Sequence, residues 1–125
     1  MMIALPMAPA ATAEAVSGLY IDNATWARYR DLSSLRVYPT STGREVAGQF
    51  GKSAAESERA WLEVLALVPE ADTPGMRAQF VCHWHFAELA EPGKVSWNLE
   101  AWRPSVDEDV MVASRCNPGG AEEAV

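Results

Sequence analysis

The sequence predicts a small single domain of the α+β class, in which two helices pack on an antiparallel sheet and one disulfide joins distant parts of the chain. Residues 53–68 and 74–90 carry apolar side chains at helical spacing, whereas residues 19–38 and 97–116 are rich in aromatic and β-branched side chains. The chain has 125 residues and two cysteines, which suits one domain with a modest core.

The first predicted strands form a hairpin. Residues 19–30 and 35–38 are its two arms, and residues 31–34 connect them. Two aromatic side chains of the hairpin are expected to face the core: Tyr20 and Trp26. Residues 39–52 contain three glycines, and we interpret this stretch as a surface connection or a short edge strand.

The first predicted helix begins at a capping box, with serine at Ser53 and glutamate three residues later at Glu56. It runs to about Val68. Its apolar stripe consists of Trp61, Val64, Leu65 and Val68. Arg59 and Glu63 form an i, i+4 pair that we expect on the solvent side of this helix.

The second predicted helix covers residues 74–90. Thr73 provides a capping hydroxyl, Pro74 suits the first helical position, and Glu91-Pro92-Gly93 predicts the end. A helical wheel shows two apolar stripes, so we expect a central position for this helix. The first stripe is Met76, Phe80, Trp84 and Ala87, and the second is Ala78, Cys82, Phe86 and Leu89.

Two histidines lie on the same helix. His83 lies between the two stripes and is expected to be half-buried, whereas His85 lies on the polar side and is expected to be exposed. On a helix the two imidazoles point about 160° apart, so they cannot share a metal ion. They would share a face only if this segment were a strand. We therefore predict no metal site and no cofactor.

Two strand candidates follow the second helix. Trp97, Leu99 and Ala101 alternate with Asn98, Glu100 and Trp102, which is the period of a strand. Residues 110–116 are rich in valine and form the second candidate. Because an acidic loop of a few residues separates them, we expect these two strands to pair with each other in an antiparallel way.

The first residues suggest export. Residues 1–13 (MMIALPMAPAATA) are apolar and end in Ala-Thr-Ala, which is typical of a secretory signal with its cleavage site. The alternative is an apolar tail that is not a signal. We divide the remainder into a linker at 14–18, a globular domain at 19–116 and a flexible tail at 117–125.

Charge and hydropathy narrow the possible partners. A formal net charge of −7 argues against nucleic acid, which requires a basic surface. No run approaches the roughly 20 apolar residues of a membrane span.

An even number of cysteines, without a CxxC motif and behind an export-like segment, predicts a disulfide between Cys82 and Cys116. The alternative is two reduced core cysteines in a cytosolic protein.

Several short motifs together resemble a known family. The segments CHWHFA, WNLEAWRP and ASRCNPGG, with LRVYPTSTGR and PEADTPGMRAQF upstream, resemble the domain of unknown function numbered 2599, a family of small secreted actinobacterial proteins. The likeness covers roughly residues 35–120. It implies export, one disulfide and a compact α+β domain. The family has no established activity, so the resemblance assigns no catalytic residue.

Two functions from different classes remain open at this point. The first is a non-catalytic binding or interaction module in the cell envelope or outside the cell, for a glycan or protein ligand. An exposed Trp102 would be its main contact, and the polar rim would be Asn98, Glu100 and Arg103. The tryptophans could instead fill the core, which we expect for Trp84 and Trp97.

The second function is a small extracellular hydrolase. His83 would be the general base, with Glu100 or Asp72 as its acidic partner. Its alternative is a core histidine that is hydrogen-bonded to a neighbour. The chain has no GxSxG motif, and no serine stands in a distinctive context, so the sequence favours the binding module.

Overall fold

The structure, a computed structural model, describes residues 18–120. The predicted signal segment at 1–13, most of the predicted linker and the last five residues of the predicted tail lie outside the described residues. Within them, the predicted α+β class is confirmed, with mixed helices, one antiparallel sheet and one disulfide.

The sheet has three antiparallel strands in the order β1-β2-β3. Strands β1 (Ile21–Tyr29) and β2 (Leu32–Pro39) form the predicted hairpin, with a turn tighter than expected. Strand β3 (Trp97–Leu99) pairs with β2. Trp26 is 40% exposed, so its predicted core position is wrong. It lies on the edge strand, and its indole N–H donates to Glu70 at 3.4 Å.

Residues 18–120 contain four α-helices in addition to this sheet. They are α1 (Ser41–Ala47), α2 (Ala54–Leu67), α3 (Pro74–Ala90) and α4 (Glu108–Ala113), and a short 3₁₀ helix (Pro69–Ala71) precedes α3. The two long helices are the predicted ones. The capping box of Ser53 and Glu56 is present, and the Thr73 hydroxyl accepts a hydrogen bond from the Met76 N–H at 3.2 Å.

Two predictions about local structure are wrong. The glycine-containing stretch after β2 forms α1, because Thr40 caps it by accepting from the Gly43 N–H at 2.9 Å. Gly43 is required there since a Cβ atom would collide with the carbonyl of Tyr20. The predicted strand at 110–116 contains α4 instead, and Asp107 caps it by accepting from the Val110 N–H at 3.0 Å.

The main core lies between the sheet and helices α2 and α3. Four aromatic side chains at its centre are within 2% of complete burial: Trp61, Phe80, Trp84 and Trp97. Phe80 contacts the other three, with ring centroids 5.5 to 6.3 Å apart. The expectation that Trp84 and Trp97 fill the core is confirmed.

Glu63 is buried, which contradicts its predicted place on the solvent side of α2. Its carboxylate accepts from the backbone N–H groups of Tyr20 and Ile21, each at 2.9 Å, and from Arg59 at 3.0 Å. The carboxylate therefore attaches the first strand to α2.

The predicted disulfide between Cys82 and Cys116 is confirmed. It joins α3 to the turn after α4, and it forms a second, smaller apolar cluster with Met111. Because the two cysteines are 34 residues apart, loop closure predicts a stabilisation of about 3–4 kcal/mol. None of the helices in residues 18–120 is long and apolar enough to cross a membrane.

Candidate functional site

A cleft of about 600 Å³ lies between α3 and the segment from α4 to Asn117. Helix α3 contributes one wall and α4 with its following turn contributes the other. The lining residues are Cys82, His83, Phe86, Ala87, Ala90, Glu91, Lys94, Val112, Arg115, Cys116 and Asn117. Its volume is in the usual range for a small-molecule site.

A second cleft of about 240 Å³ adjoins the first. The two share Cys82, Phe86 and Val112, and we call them together the α3–α4 groove. Phe86 and Val112 are each 44% exposed although both are apolar. The groove follows the second apolar stripe that the sequence predicts on α3. In the folded chain only the part of this stripe around Cys82 is buried.

His83 lies in the first cleft and is buried to 4% exposure. Its Nδ1 is 2.8 Å from the backbone carbonyl of Gln79. Because a carbonyl oxygen only accepts hydrogen bonds, Nδ1 carries a proton and donates it to this oxygen. The imidazole is therefore held by α3 itself, as expected for a core histidine, and it also reaches a cleft.

The two proposed acidic partners of His83 do not line this cleft. The Glu100 carboxylate is fully buried, where it accepts from Arg103 Nε at 2.7 Å and from the Ser34 hydroxyl. Asp72 is exposed in the turn before α3. Glu91 is the carboxylate that the first cleft does contain. The predicted catalytic residues are thus distributed over three places.

Of the residues predicted to form a binding face, Trp102 is exposed and the other three are buried. Trp102 is 38% exposed, as predicted for an exposed aromatic, and the Arg103 guanidinium lies 4.4 Å from its ring centroid. Asn98, Glu100 and Arg103 are all buried rather than arranged as a rim. Arg103 also donates to the carbonyls of Pro118 and Gly120, at 3.0 and 2.7 Å.

The second cleft contains His85, which is half-buried and not exposed as predicted. Burial lowers the pKa of this imidazole, the positive charge of Lys52 lowers it further, and Glu108 opposes both. Burial also lowers the pKa of Lys52, against the influence of Glu56. The ammonium group of Lys52 donates to the carbonyls of Ala47 and His85, at 2.7 and 3.1 Å.

In the part of the chain from residue 18 to 120, no three histidine, cysteine, aspartate or glutamate side chains are grouped so that they could hold a metal ion. Cys82 and Cys116 are bonded to each other.

The comparisons with known proteins identify the family. The family model described as "Protein of unknown function (DUF2599)" matches residues 21–119, which is nearly all of the described chain. The chain belongs to this family. The match thus extends from the start of β1 into the segment after Cys116, whose carbonyls accept from Arg103.

The curated relatives of this DUF2599 domain are mycobacterial. The chain is 58% identical over 104 residues to "Uncharacterized protein Rv0477" of Mycobacterium tuberculosis, covering 83% of this chain and 69% of the relative. It is 45% identical over 103 residues to "Uncharacterized protein ML2452" of Mycobacterium leprae, covering 82% of each. No solved structure gives a significant match.

Several residues of the groove were not predicted from the sequence. Lys94, Val112, Arg115 and Asn117 line it, and none of them was a candidate. The exposed half of the second stripe, at Phe86 and Leu89, was the available signal, because a surplus of apolar residues on a helix predicts a partner for them. The opposite wall, formed by α4 and its following turn, was not predicted because residues 110–116 were interpreted as a strand.

Proposed function

We propose that this DUF2599 domain is a non-catalytic binding module of the cell envelope or the extracellular space, and that its ligand lies in the α3–α4 groove. The observation that carries the proposal is the groove itself. It combines a cleft of about 600 Å³ with Phe86 and Val112, each 44% exposed, between two helices. Exposed apolar side chains that line a concave surface are typical of ligand sites.

The disulfide supports the proposed compartment. Cys82 and Cys116 are joined, and such bonds persist mainly in oxidising compartments outside the cytosol. Both cysteines also line the first cleft, so the same bond holds its two walls together. The export-like residues 1–13 favour the same compartment.

The lining of the groove favours binding over catalysis. Among the described residues that line either cleft there is no serine or threonine, and the two cysteines are bridged. A mechanism that needs a serine, threonine or cysteine nucleophile would thus find none among these lining residues. Glu100, the acidic partner first considered for His83, is bound by Arg103 and Ser34.

A second candidate function is hydrolysis with His83 as a general base for water. One observation favours it: the imidazole lines the first cleft, and its Nδ1 donates to the Gln79 carbonyl. The exposed Trp102 is a further surface at which a glycan could stack, and this role stays a prediction.

The test of the binding proposal uses the uncharged dye N-phenylnaphthylamine, whose fluorescence rises in an apolar site. We expect saturable binding to the folded wild type and a loss of at least about tenfold in affinity for Phe86→Asp and Val112→Asp, because a carboxylate in the groove disfavours an apolar ligand. The matched control is Leu62→Asp on α2, at a site that is 45% exposed and lines neither cleft.

Equal dye affinity in Phe86→Asp, Leu62→Asp and the wild type would contradict the proposal. Circular dichroism on every variant shows whether it is folded. His83→Gln distinguishes the second candidate: if the domain is a binding module, neither the wild type nor His83→Gln turns over model esters. Ester turnover in the wild type that His83→Gln abolishes would favour the hydrolase.

A further inference from the structure

We infer that the disulfide between Cys82 and Cys116 is a redox switch for the α3–α4 groove. In the oxidised chain this bond joins α3 to the turn after α4, and both of its cysteines line the first cleft. Reduction releases the α4 wall while the sheet and the two long helices stay folded, so the ligand binds the oxidised form. This inference rests on the proposed function, since it concerns the regulation of the same groove.

The wall that contains α4 depends on the disulfide for its attachment to α3. Helix α4 has six residues, and a helix of this length does not persist without tertiary contacts. Met111 is its buried residue, and it packs with Cys82 and Cys116 in the smaller apolar cluster. Because two of the three buried members of this cluster are the bonded cysteines, the covalent bond supplies much of what holds α4 in place.

The main core does not depend on this attachment. Among the described residues, it lies between the sheet and helices α2 and α3 and includes neither cysteine. Helix α3 stays in this core through Phe80 and Trp84. Arg103 donates to the carbonyls of Pro118 and Gly120, at 3.0 and 2.7 Å, and thereby keeps the two ends of the segment at 104–117 together. Reduction therefore frees this segment as a loop that is closed at its base.

The turn after α4 opposes the oxidised geometry. The Cys116 N–H donates to the Met111 carbonyl at 3.0 Å. The Arg115 N–H donates to the Val112 carbonyl, also at 3.0 Å, and the two bonds together form a Schellman motif. Glycine is usual at the position of Arg115, whose φ is 54°, and Cys116 follows with a φ of 67°. Since the left-handed region is unfavourable for both residues, this disulfide is easier to reduce than an unstrained one.

The reductant is a dithiol that reaches the bond from the first cleft. The cleft has a volume of about 600 Å³, which admits a small dithiol. One thiolate of the reductant attacks a sulfur of the disulfide and forms a mixed disulfide, and its second thiolate then displaces the protein sulfur. The reductant leaves as a disulfide, and its two electrons and two protons remain on Cys82 and Cys116 as thiols.

The experiment measures the affinity for N-phenylnaphthylamine before reduction with dithiothreitol, after it and after reoxidation. We expect the affinity of the wild type to decrease at least about tenfold on reduction and to recover on reoxidation. Because binding and oxidation are linked, saturating dye should make the disulfide harder to reduce by the same factor. The matched control is Cys82→Ala/Cys116→Ala, which should bind the dye weakly whether or not dithiothreitol is present.

Hydrogen exchange measures whether the release is local. In the reduced wild type, we expect peptides from 104–117 to lose protection and those from β2 and α3 to keep it. Arg115→Gly tests the turn against Arg115→Ala, because only glycine removes the cost of a positive φ. The equilibrium with dithiothreitol should favour the disulfide about threefold more in Arg115→Gly than in Arg115→Ala.

Each outcome separates the switch from the proposed function. Unchanged dye affinity in the reduced wild type overturns the switch and leaves the groove in place. Loss of protection throughout the chain, or a bond that dithiothreitol does not reduce without denaturant, overturns the switch as well. Equal equilibria for Arg115→Gly and Arg115→Ala would contradict the strained turn. If the oxidised wild type binds no dye, the proposed function fails and regulated binding fails with it, whereas hydrogen exchange still measures the release of α4.

Discussion

Gln79 shows how much of this fold depends on one buried amide. Its Nε2 donates to the Glu100 carbonyl at 2.9 Å, and its Oε1 accepts from the Glu100 N–H at 2.8 Å. Its own carbonyl accepts from His83. One residue on α3 therefore completes the hydrogen bonding just after β3 and also orients an imidazole in the cleft. The sequence analysis expected His83 between two apolar stripes of this helix, and Gln79, one turn before it, contacts the backbone just after β3.

His85 carries a prediction about pH. Burial and Lys52 lower the pKa of its imidazole below the ordinary value of 6.5. The unfolded chain therefore binds this proton at a higher pH than the folded chain. Stability from this site is present above about pH 6.5 and decreases as the pH falls toward the lowered pKa.

The measurement is urea unfolding of the wild type and of His85→Gln between about pH 7.5 and pH 5. We expect the wild type to lose more free energy of unfolding than the variant over this interval, because glutamine does not titrate. Parallel curves for the two proteins would contradict the assignment, and a wild type that becomes relatively more stable in acid would reverse its sign.

At the scale of elements, the sequence predicted those helices that carry their own start signals and a long apolar pattern. Helix α2 has a capping box, and α3 has Thr73 followed by Pro74. Helix α4 has six residues, three of them valine or methionine, so its composition favours a strand. Its cap at Asp107 and the disulfide at Cys116 determine its conformation, and tertiary contacts of this kind are not visible in local propensity.

The partner of β3 also depends on tertiary structure. Trp97 pairs with Val37 and Leu99 with Leu35, so the strand joins a hairpin that lies about sixty residues earlier. From their proximity in sequence, β3 was expected to pair with the strand candidate at 110–116, but that segment contains α4. The groove was not predicted either, because α4, which forms one of its walls, was predicted to be a strand.

The segment after β3 depends on a buried ion pair, and this leads to a prediction. Glu100 and Arg103 have fully buried side chains and are 2.7 Å apart, and Arg103 also holds the carbonyls of Pro118 and Gly120. Replacing Arg103 by leucine leaves the Glu100 carboxylate buried without its cation. We expect a loss of about 3–5 kcal/mol in the free energy of unfolding, measured by urea denaturation.

A matched surface pair provides the control. Arg77 and Glu58 are about half exposed, so Arg77→Leu should cost less than about 1 kcal/mol. The double variant Glu100→Gln/Arg103→Leu should recover part of the loss, because no unpaired charge remains in the interior. A loss for Arg103→Leu that is no larger than that for Arg77→Leu would show that the buried pair contributes little.

At the scale of the whole molecule, composition and patterning predicted the class, the hairpin, both long helices and the disulfide. They failed where the environment of a residue depends on distant parts of the chain. Glu63 looked like half of a surface pair, yet it lies in the core because the backbone of Tyr20 and Ile21 needs an acceptor. Asn98 and Arg103 were predicted to form a polar rim because they are polar residues next to Trp102. Both are buried.

The final prediction concerns the compartment in which the molecule works. We expect export with cleavage after Ala13, since Ala11 and Ala13 are small residues at the two positions that a signal peptidase recognises. The exported protein should begin at Glu14, and its two cysteines should resist alkylation until a reductant is added. Intact mass of protein recovered from the culture medium or the envelope, with and without reduction, measures both features together.

The two features are linked by the stability of the fold. A disulfide that contributes about 3–4 kcal/mol is a large part of the stability of a small domain, so a reducing cytosol would leave this domain weakened. Cys82→Ala/Cys116→Ala should therefore accumulate at lower levels than the wild type in the exported fraction. Recovery of the wild type only from the cytosol, with its first residues retained and both thiols reactive, would contradict export and the envelope function with it.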